Sequence, residues 1–382
     1  MDSRDLGRRA FLAGAAGLAL QSVVFAQKKT RTGGKAADAG KGAGGGGWQS
    51  DVDQIVEGML KDDNVPSAVI GVVKGGQVAY VKGYGVRKLP HGAVPDENTV
   101  YYIGSLSKAL TAVGAMTLVQ SGKLDLDKRA SEYIKDLPPK WQAITVRQFM
   151  THTSGIPDIG KRQKNAQGDI QGVYRLMQTL PMAFPPGTKE AYNNFNFAVT
   201  GNLMEVISGM PYLDFMKRRV FTPLGMEHSG TGDLDPNNHA TGYDLDASGN
   251  QTATTPDEAS FGIPSGGLAT NLSDLLKLED ALRNHKLLRP AIMKQMIQPV
   301  AGFSSTPGWF SRSIGNGVAI SKNGAAGGFS SFFSFVPDQG DAIVMLRNAK
   351  GKGIGIQGPS NRILNSCCGI PVHGGKSDGD QG

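Results

Sequence analysis

The sequence predicts an α/β (α+β) architecture: a mixed, mainly antiparallel sheet built from both chain ends, flanked by helices, with a helical lobe inserted between its halves. Three observations predict it. Strand-like segments gather at residues 68–83 and again at 317–346, helical patterns fill the interval, and glycine and proline punctuate the whole. With 53 Gly and 20 Pro among 382 residues, nearly one residue in five is a backbone punctuator. The glycines show no three-residue period and no apolar heptad persists, which excludes a collagen-like chain and a coiled coil. The length fits one large domain or two lobes around a shared core.

From Trp48, Val52, Ile55, Val56, Met59 and Leu60 recur near helical spacing, so the body opens on a helix. Ala68–Val73 and Val78–Gly83 then flank Lys74-Gly75-Gly76-Gln77, a glycine-containing turn, and together read as a β-hairpin. Helical patterns follow at 107–121, 146–150, 195–208, 212–219 and 273–283. The second β cluster comprises Gly317–Ser321, Phe329–Val336 and Ala342–Leu346. Gly353–Gly358 reads as a turn before a last helix. A cleft between sheet and helical lobe is where a small-molecule site is expected.

The ends carry different information. Arg8-Arg9 precedes an apolar run to Phe25, and Val24-Phe25-Ala26 offers small residues for a signal peptidase. The run, of about 15 residues, falls short of the roughly 20 that a membrane span needs. Residues 1–26 resemble the twin-arginine translocation signal of bacteria, with an ordinary Sec signal or an anchor as the alternative. Each reading puts the body outside the cytoplasm, and a cleaved signal makes it an exported, periplasmic protein with no stable membrane span. Residues 27–47 have almost no side chain to bury and read as a disordered Gly/Lys-rich linker. The body is 48–369, and 370–382 is a disordered tail.

Charge argues against a nucleic-acid partner. Of the formal net charge of +7, the signal holds +1, the linker +4 and the tail −1, leaving +3 spread over the body without a Lys/Arg block. Cys367 and Cys368 are the only cysteines. Adjacent Cα atoms sit about 3.8 Å apart, too close for a relaxed disulfide, and paired neighbours lack metal-ligand spacing. No cofactor and no metal are expected. Nothing in the sequence speaks to oligomeric state.

Three segments could carry chemistry. In Ser105-Leu106-Ser107-Lys108, positions three apart on a helix share a face, so hydroxyl and amine can meet in one space. In Tyr192-Asn193-Asn194, just before the helical run from Phe197, a phenol and an orienting amide lie together. Lys322-Asn323-Gly324 stands at the end of the strand-like Val318–Ser321, where glycine lets a substrate backbone approach a strand edge. Singly, each has a plain alternative: a capped helix with an exposed lysine, a polar loop, a basic hairpin turn.

In this order, Ser-x-x-Lys, Tyr-x-Asn and Lys-x-Gly resemble the serine β-lactamase and penicillin-binding protein superfamily. The likeness is to its class C β-lactamase branch, which includes D-alanyl-D-alanine carboxypeptidases and related esterases. Further matches are Thr151-His152-Thr153-Ser154-Gly155, Thr241-Gly242-Tyr243 and Ser265-Gly266-Gly267, so the resemblance spans approximately 50–350. Two differences stand out. Asn323 occupies the place usually held by Thr, and no Ser-Asp-Asn motif is present.

The resemblance implies the β-lactamase/transpeptidase-like fold and an acyl-enzyme route for an amide, lactam or ester, with the site between sheet and helical lobe. Ser105 would be the nucleophile. The backbone N–H groups of Ser105 and Ala325 would form the oxyanion hole, and Lys108 or Tyr192 would be the base, with Lys322 tuning both. Asn194, Asn323, Gly324 and Ala325 would bind substrate. A free Lys titrates near 10.4 and a free Tyr near 10, so either needs a shift of roughly 3 units to act at neutral pH. The implied partner is a small-molecule or peptide acyl substrate. A catalytically silent penicillin-fold binding module is the rival, and the complete set of polar side chains weighs against it.

Other patterns fail on context. Gly353-Ile354-Gly355-Ile356-Gln357-Gly358 matches a dinucleotide fingerprint, yet Pro359 follows and too little chain remains for a further strand. Asp244–Gly249 imitates a calcium loop, but its twelfth position is Thr255 rather than Glu. His152 reads as structural. The absence of a Gly-x-Ser-x-Gly elbow removes the α/β-hydrolases.

Overall fold

The computed structural model describes residues 47–158, 169–232, 234–246, 248–256, 260–314, 317–351 and 355–371. The expected signal peptide, the linker up to residue 46 and the tail beyond residue 371 lie outside the described residues. So do Gly353, Ile354 and Ala247 from the two failed patterns.

Seven strands form the main sheet: β1 (Ser67–Lys74), β2 (Gln77–Gly85), β3 (Ser305–Thr306), β4 (Trp309–Ile314), β5 (Gly317–Ala326), β6 (Phe329–Val336) and β7 (Asp341–Arg347). Their spatial order is β2-β1-β7-β6-β5-β4-β3. Each of these ladders is antiparallel, and β1 pairs with β7 from Ala68↔Arg347 to Val73↔Ala342. The two ends of the body thus meet in the middle of one sheet. β6 and β7 are buried along their whole lengths, which is why they read as nearly unbroken runs instead of alternating ones. Two of the serines inside β6 are satisfied: Ser330 Oγ donates to the Ala349 carbonyl at 2.8 Å and Ser331 Oγ to the Ile103 carbonyl at 2.7 Å.

Each face of the sheet has its own cover. On one, α1 (Trp48–Asp62) turns Val52, Val56 and Met59 onto Ala68, Ile70 and Val72. The final helix (Gln357–Cys368) adds Ile363 and Leu364 to that layer. The other face carries the helical lobe, centred on α2 (Ser107–Gln120), in which every residue from Ser107 to Leu118 is buried. Such a helix has no polar stripe because neighbours surround it. Around it lie α3 (Val146–Met150), α4 (Ile170–Met177), α5 (Phe195–Ser208), α6 (Tyr212–Met216), α7 (Leu272–Arg283) and α8 (Pro290–Ile297); the final helix is α9. No helix among the described residues is long and apolar enough to cross a membrane.

Several elements differ from expectation. Lys322-Asn323-Gly324 lies inside a strand rather than after one, because β5 continues to Ala326 through its pairing with β6. The expected helix over 212–219 is α-helical only to Met216, then widens into a π-type turn through Phe221. Strands β3 and β4, helices α4 and α8, and the hairpin of Gly242–Leu245 with Gln251–Thr254 were not expected.

Candidate active site

The centre forms where the entry to α2 touches the free edge of β5. Chain direction reverses into α2 through a tight 3-10 turn, Gly104–Leu106, so Ser105 precedes the helix instead of lying within it. Gly104 has φ +50°, and a Cβ there would stand 2.5–2.6 Å from the Ala325 backbone. A Cβ on Gly324 would meet the Ile103 carbonyl oxygen at 2.0 Å. Two glycines therefore let the turn and the strand come into backbone contact. The pairing of β4 with β5 ends at Ser321, so residues 322–326 have no strand partner from β4 on that edge. Ser105 is half-buried and Ala325 exposed, which leaves both reachable from solvent.

Four of the expected side chains converge. Tyr192 OH donates to Ser105 Oγ at 2.6 Å, and Lys108 Nζ donates to the same oxygen at 3.1 Å. Lys108 is fully buried; its amine also donates to Asn194 Oδ1 at 2.8 Å and to the Ser265 carbonyl at 2.5 Å. Three acceptors match the three N–H groups of an ammonium. The Tyr192 ring centroid lies 4.9 Å from Lys108 Nζ and 4.8 Å from Lys322 Nζ. Lys322, the fifth member of the cluster, also sits 4.4 Å from the centre of the Phe310 ring.

Burial sets the proton balance. Desolvation pushes the Tyr192 phenol well above its ordinary range, against the smaller opposing effect of its bond to Ser105. The phenol is therefore protonated at neutral pH and acts as a donor. Desolvation pulls Lys322 down to about 7, with Glu190 opposing. Glu190 is itself engaged: its carboxylate accepts from Ser305 Oγ at 2.7 Å and from the Ser304 and Ser305 amides at 3.2 and 3.3 Å.

The remaining expected residues divide. Gly324 and Ala325 lie against the Ser105 turn. Asn323 does not join the cluster, because strand alternation puts it on the other pleat from Lys322 and Gly324. It lines a cavity of about 90 Å³ with Arg312, Ser321, Ser334, Gln357 and Asn361, which Phe310 also borders. Sequence reasoning missed Arg312, Glu190 and the Ser265 carbonyl. The Ser-Gly-Gly segment had marked Ser265, but a carbonyl acceptor leaves no signature in residue type. Among the described residues, no cluster of His, Cys, Asp and Glu gathers to hold a metal ion. Cys367 and Cys368 are free thiols in α9.

Known proteins place the chain and its fold. Protein flp of Staphylococcus aureus (strain MW2) is 27% identical over 321 residues, 78% of this chain. The match spans only 63% of the length of Protein flp. PbpX of Bacillus subtilis (strain 168) is 29% identical over 302 residues, covering 78% of this chain and 73% of the relative. Among solved structures, the octameric penicillin-binding protein homologue from Pyrococcus abyssi superposes with a TM-score of 0.74 at 22% identity, over 84% of this chain and 77% of that one. The D-alanine carboxypeptidase AmpC from Burkholderia cenocepacia does so with a TM-score of 0.71 at 24% identity, over 84% and 99%. At such identities the superpositions establish the shared fold. A family model described as Beta-lactamase matches residues 52–358, spanning β1, the α2 entry and β5 alike, and with that the chain belongs to the beta-lactamase family.

Proposed function

We propose that the protein is an exported serine hydrolase that cleaves an amide, lactam or ester through a covalent acyl-enzyme. One observation carries this reading: a solvent-reachable Ser105 hydroxyl is held between a buried amine and a half-buried phenol, at 3.1 and 2.6 Å. Export rests on the N-terminal sequence alone.

In the proposed reaction Ser105 Oγ attacks the carbonyl carbon, and its proton passes to the amine–phenol pair as the C–O bond forms. The developing oxyanion is received by the Ser105 and Ala325 N–H groups; losing one such donor typically costs about 2.7–4 kcal/mol. The leaving group departs with a proton, forming the acyl-enzyme. Water then attacks the acyl carbon and returns the proton to Ser105. Because burial keeps Tyr192 a phenol, it suits the donor role toward the leaving group, which leaves acceptance of the serine proton to Lys108 in its neutral amine form, one N–H fewer than in the three donated bonds of the ammonium. Asn194 holds Lys108 through its Oδ1, leaving its NH₂ for the acyl amide.

The test is Ser105→Ala assayed with a chromogenic ester and a cephalosporin. Turnover should fall at least about 10³-fold while the far-UV circular dichroism stays unchanged. Wild-type-like hydrolysis in that variant ends the assignment.

A second reading, D-alanyl-D-alanine carboxypeptidase, is favoured by the Asn323 cavity. Arg312 is half-buried with no ion-pair partner among the described residues, and desolvation alone lowers its pKa. Serine, asparagine and glutamine side chains line the cavity beside it and no carboxylate does, which suits an anionic substrate group. Arg312→Met should raise KM about tenfold or more for carboxylate-bearing substrates and leave a neutral ester unaffected. Equal effects on both would dismiss the carboxylate role. A fluorescent penicillin separates the outcomes further: stable labelling of Ser105 indicates peptidase-like behaviour, fast turnover a lactamase, and ester cleavage without labelling an esterase.

A further inference from the structure

We propose that His152 is a positioning residue for Tyr192, a neutral imidazole that braces the phenol from both sides of the chain and fixes where its hydroxyl meets Ser105. The proposal rests on the reading of Ser105 and Tyr192 given above. Three contacts make the brace. The Ala191 N–H donates to the His152 carbonyl at 2.9 Å, so the residue before Tyr192 is held by the histidine backbone. The Asn193 N–H donates to His152 Nδ1 at 3.3 Å, so the residue after Tyr192 is held by its ring. Between these, the imidazole lies against the phenol itself, with centroids 4.6 Å apart and planes tilted by 38°.

The ring is in turn locked. Asn196 Nδ2 reaches His152 Nδ1 at 3.1 Å, and Ser154 Oγ donates to Asn196 Oδ1 at 2.6 Å, which orients that amide with its NH₂ toward the histidine. Phe197 supports the imidazole with centroids 5.6 Å apart. His152 holds a left-handed backbone, φ +56°, a conformation that a bulky residue keeps only where its surroundings determine it. Filling the core alone would call for none of the bonds to Nδ1.

The brace requires a particular protonation state. With two N–H donors aimed at Nδ1, that nitrogen must keep its lone pair, and the proton of the neutral ring resides on Nε2. A cationic ring would set donor against donor. Burial holds His152 well below the usual imidazole range, and the Lys322 and Lys108 charges act in the same direction. The titratable groups facing it are Tyr192, Lys108 and Lys322, with Glu190 acting on Lys322. A neutral brace therefore avoids placing a third cation beside the phenol.

A double-mutant cycle on the full chain tests this, with hydrolysis of a chromogenic ester as readout and the variants His152→Asn and Tyr192→Phe. Asn tolerates the left-handed backbone but offers no ring. His152→Asn should lower kcat at least tenfold with KM within threefold. Tyr192→Phe should cost at least a hundredfold in the wild type and about tenfold less than that in the His152→Asn background. Additive losses would overturn the brace while leaving the Ser105–Tyr192 reading standing. No loss from Tyr192→Phe in the wild type would remove that reading, and the brace with it. Should His152→Asn fail to fold, ¹⁵N shifts of the wild-type histidine ring decide: Nδ1 should stay unprotonated and Nε2 protonated from pH 5 to pH 9. Titration of His152 within that interval overturns the proposal.

Discussion

At the residue scale the strongest consequence follows from Lys322. Its side chain is 2% exposed and forms no ion pair among the described residues, and this burial lowers its pKa to about 7 even though two aromatic rings flank the amine. Below pH 7 the amine is charged in both folded and unfolded chains, and the burial penalty is fully present. As pH rises from about 7 toward 10.5, only the unfolded chain still binds the proton, so stability rises over that window. The whole penalty is on the order of 5 kcal/mol. Lys322→Met should therefore raise the urea midpoint clearly at pH 6 and hardly at pH 10, while hydrolysis is lost at both. An equal gain at the two pH values would show that the amine carries no such penalty. The position of Lys322 was legible because Lys-x-Gly follows Ser-x-x-Lys and Tyr-x-Asn in the order of the resemblance; alone it has the composition of a basic turn. What holds Lys108 and Tyr192 was less legible, since the Ser265 carbonyl that Lys108 meets is one any residue would present, and the place of the His152 ring beside Tyr192 depends on a fold that joins distant segments.

Among the elements, β5 shows how a short strand decides a site. From sequence it ended at Ser321, since Lys-Asn-Gly has the composition of a turn; pairing with β6 carries it on to Ala326. Strands β3 and β4 escaped detection because Ser305–Thr306 and Trp309–Ile314 show neither clear alternation nor a long apolar run. By contrast, α3 at 146–150 and α5 at 195–208 matched expectation, since a capping box on Thr145 and a glycine stop at Gly209 bound them. The contact between β5 and the α2 entry leaves no room for a side chain. Gly324→Ala should cost about 1–3 kcal/mol through overpacking and reduce turnover, because the 2.0 Å clash is with backbone that cannot rotate away. Gly58→Ala, in the interior of α1 with nothing within 4 Å of the added Cβ, should stabilise by roughly 0.5–1 kcal/mol. Thermal melts of the two variants check both signs. Equal shifts would mean that the tight approach of β5 is not real.

For the molecule as a whole, the question is what holds together a sheet whose central strands come from opposite ends of the body. Hairpin periodicity revealed the two strand clusters, but which strands pair across the gap depends on long-range register that no local pattern encodes. The structure joins them through β1 and β7, and it pins that seam with a buried ion pair. Arg347, the last residue of β7, is fully buried, and Asp63, just past the end of α1, is nearly so. Arg347 Nη1 meets Asp63 Oδ2 at 3.1 Å, Nε donates to Ser330 Oγ at 2.9 Å, and Nη2 donates to the Lys350 carbonyl at 2.7 Å. Burial lowers the Arg347 pKa, and the Asp63 charge opposes that effect. Removing the carboxylate alone strands a cation in the interior, so Asp63→Ala should cost about 3–5 kcal/mol. Removing both charges avoids the stranded cation, and Asp63→Ala with Arg347→Met should recover most of the loss. Urea melts distinguish these cases, with the midpoint falling and the slope unchanged if the body still unfolds as one unit. A single Asp63→Ala within 1 kcal/mol of the wild type, or a double variant as unstable as the single, would place the cohesion of the seam in its apolar layers instead.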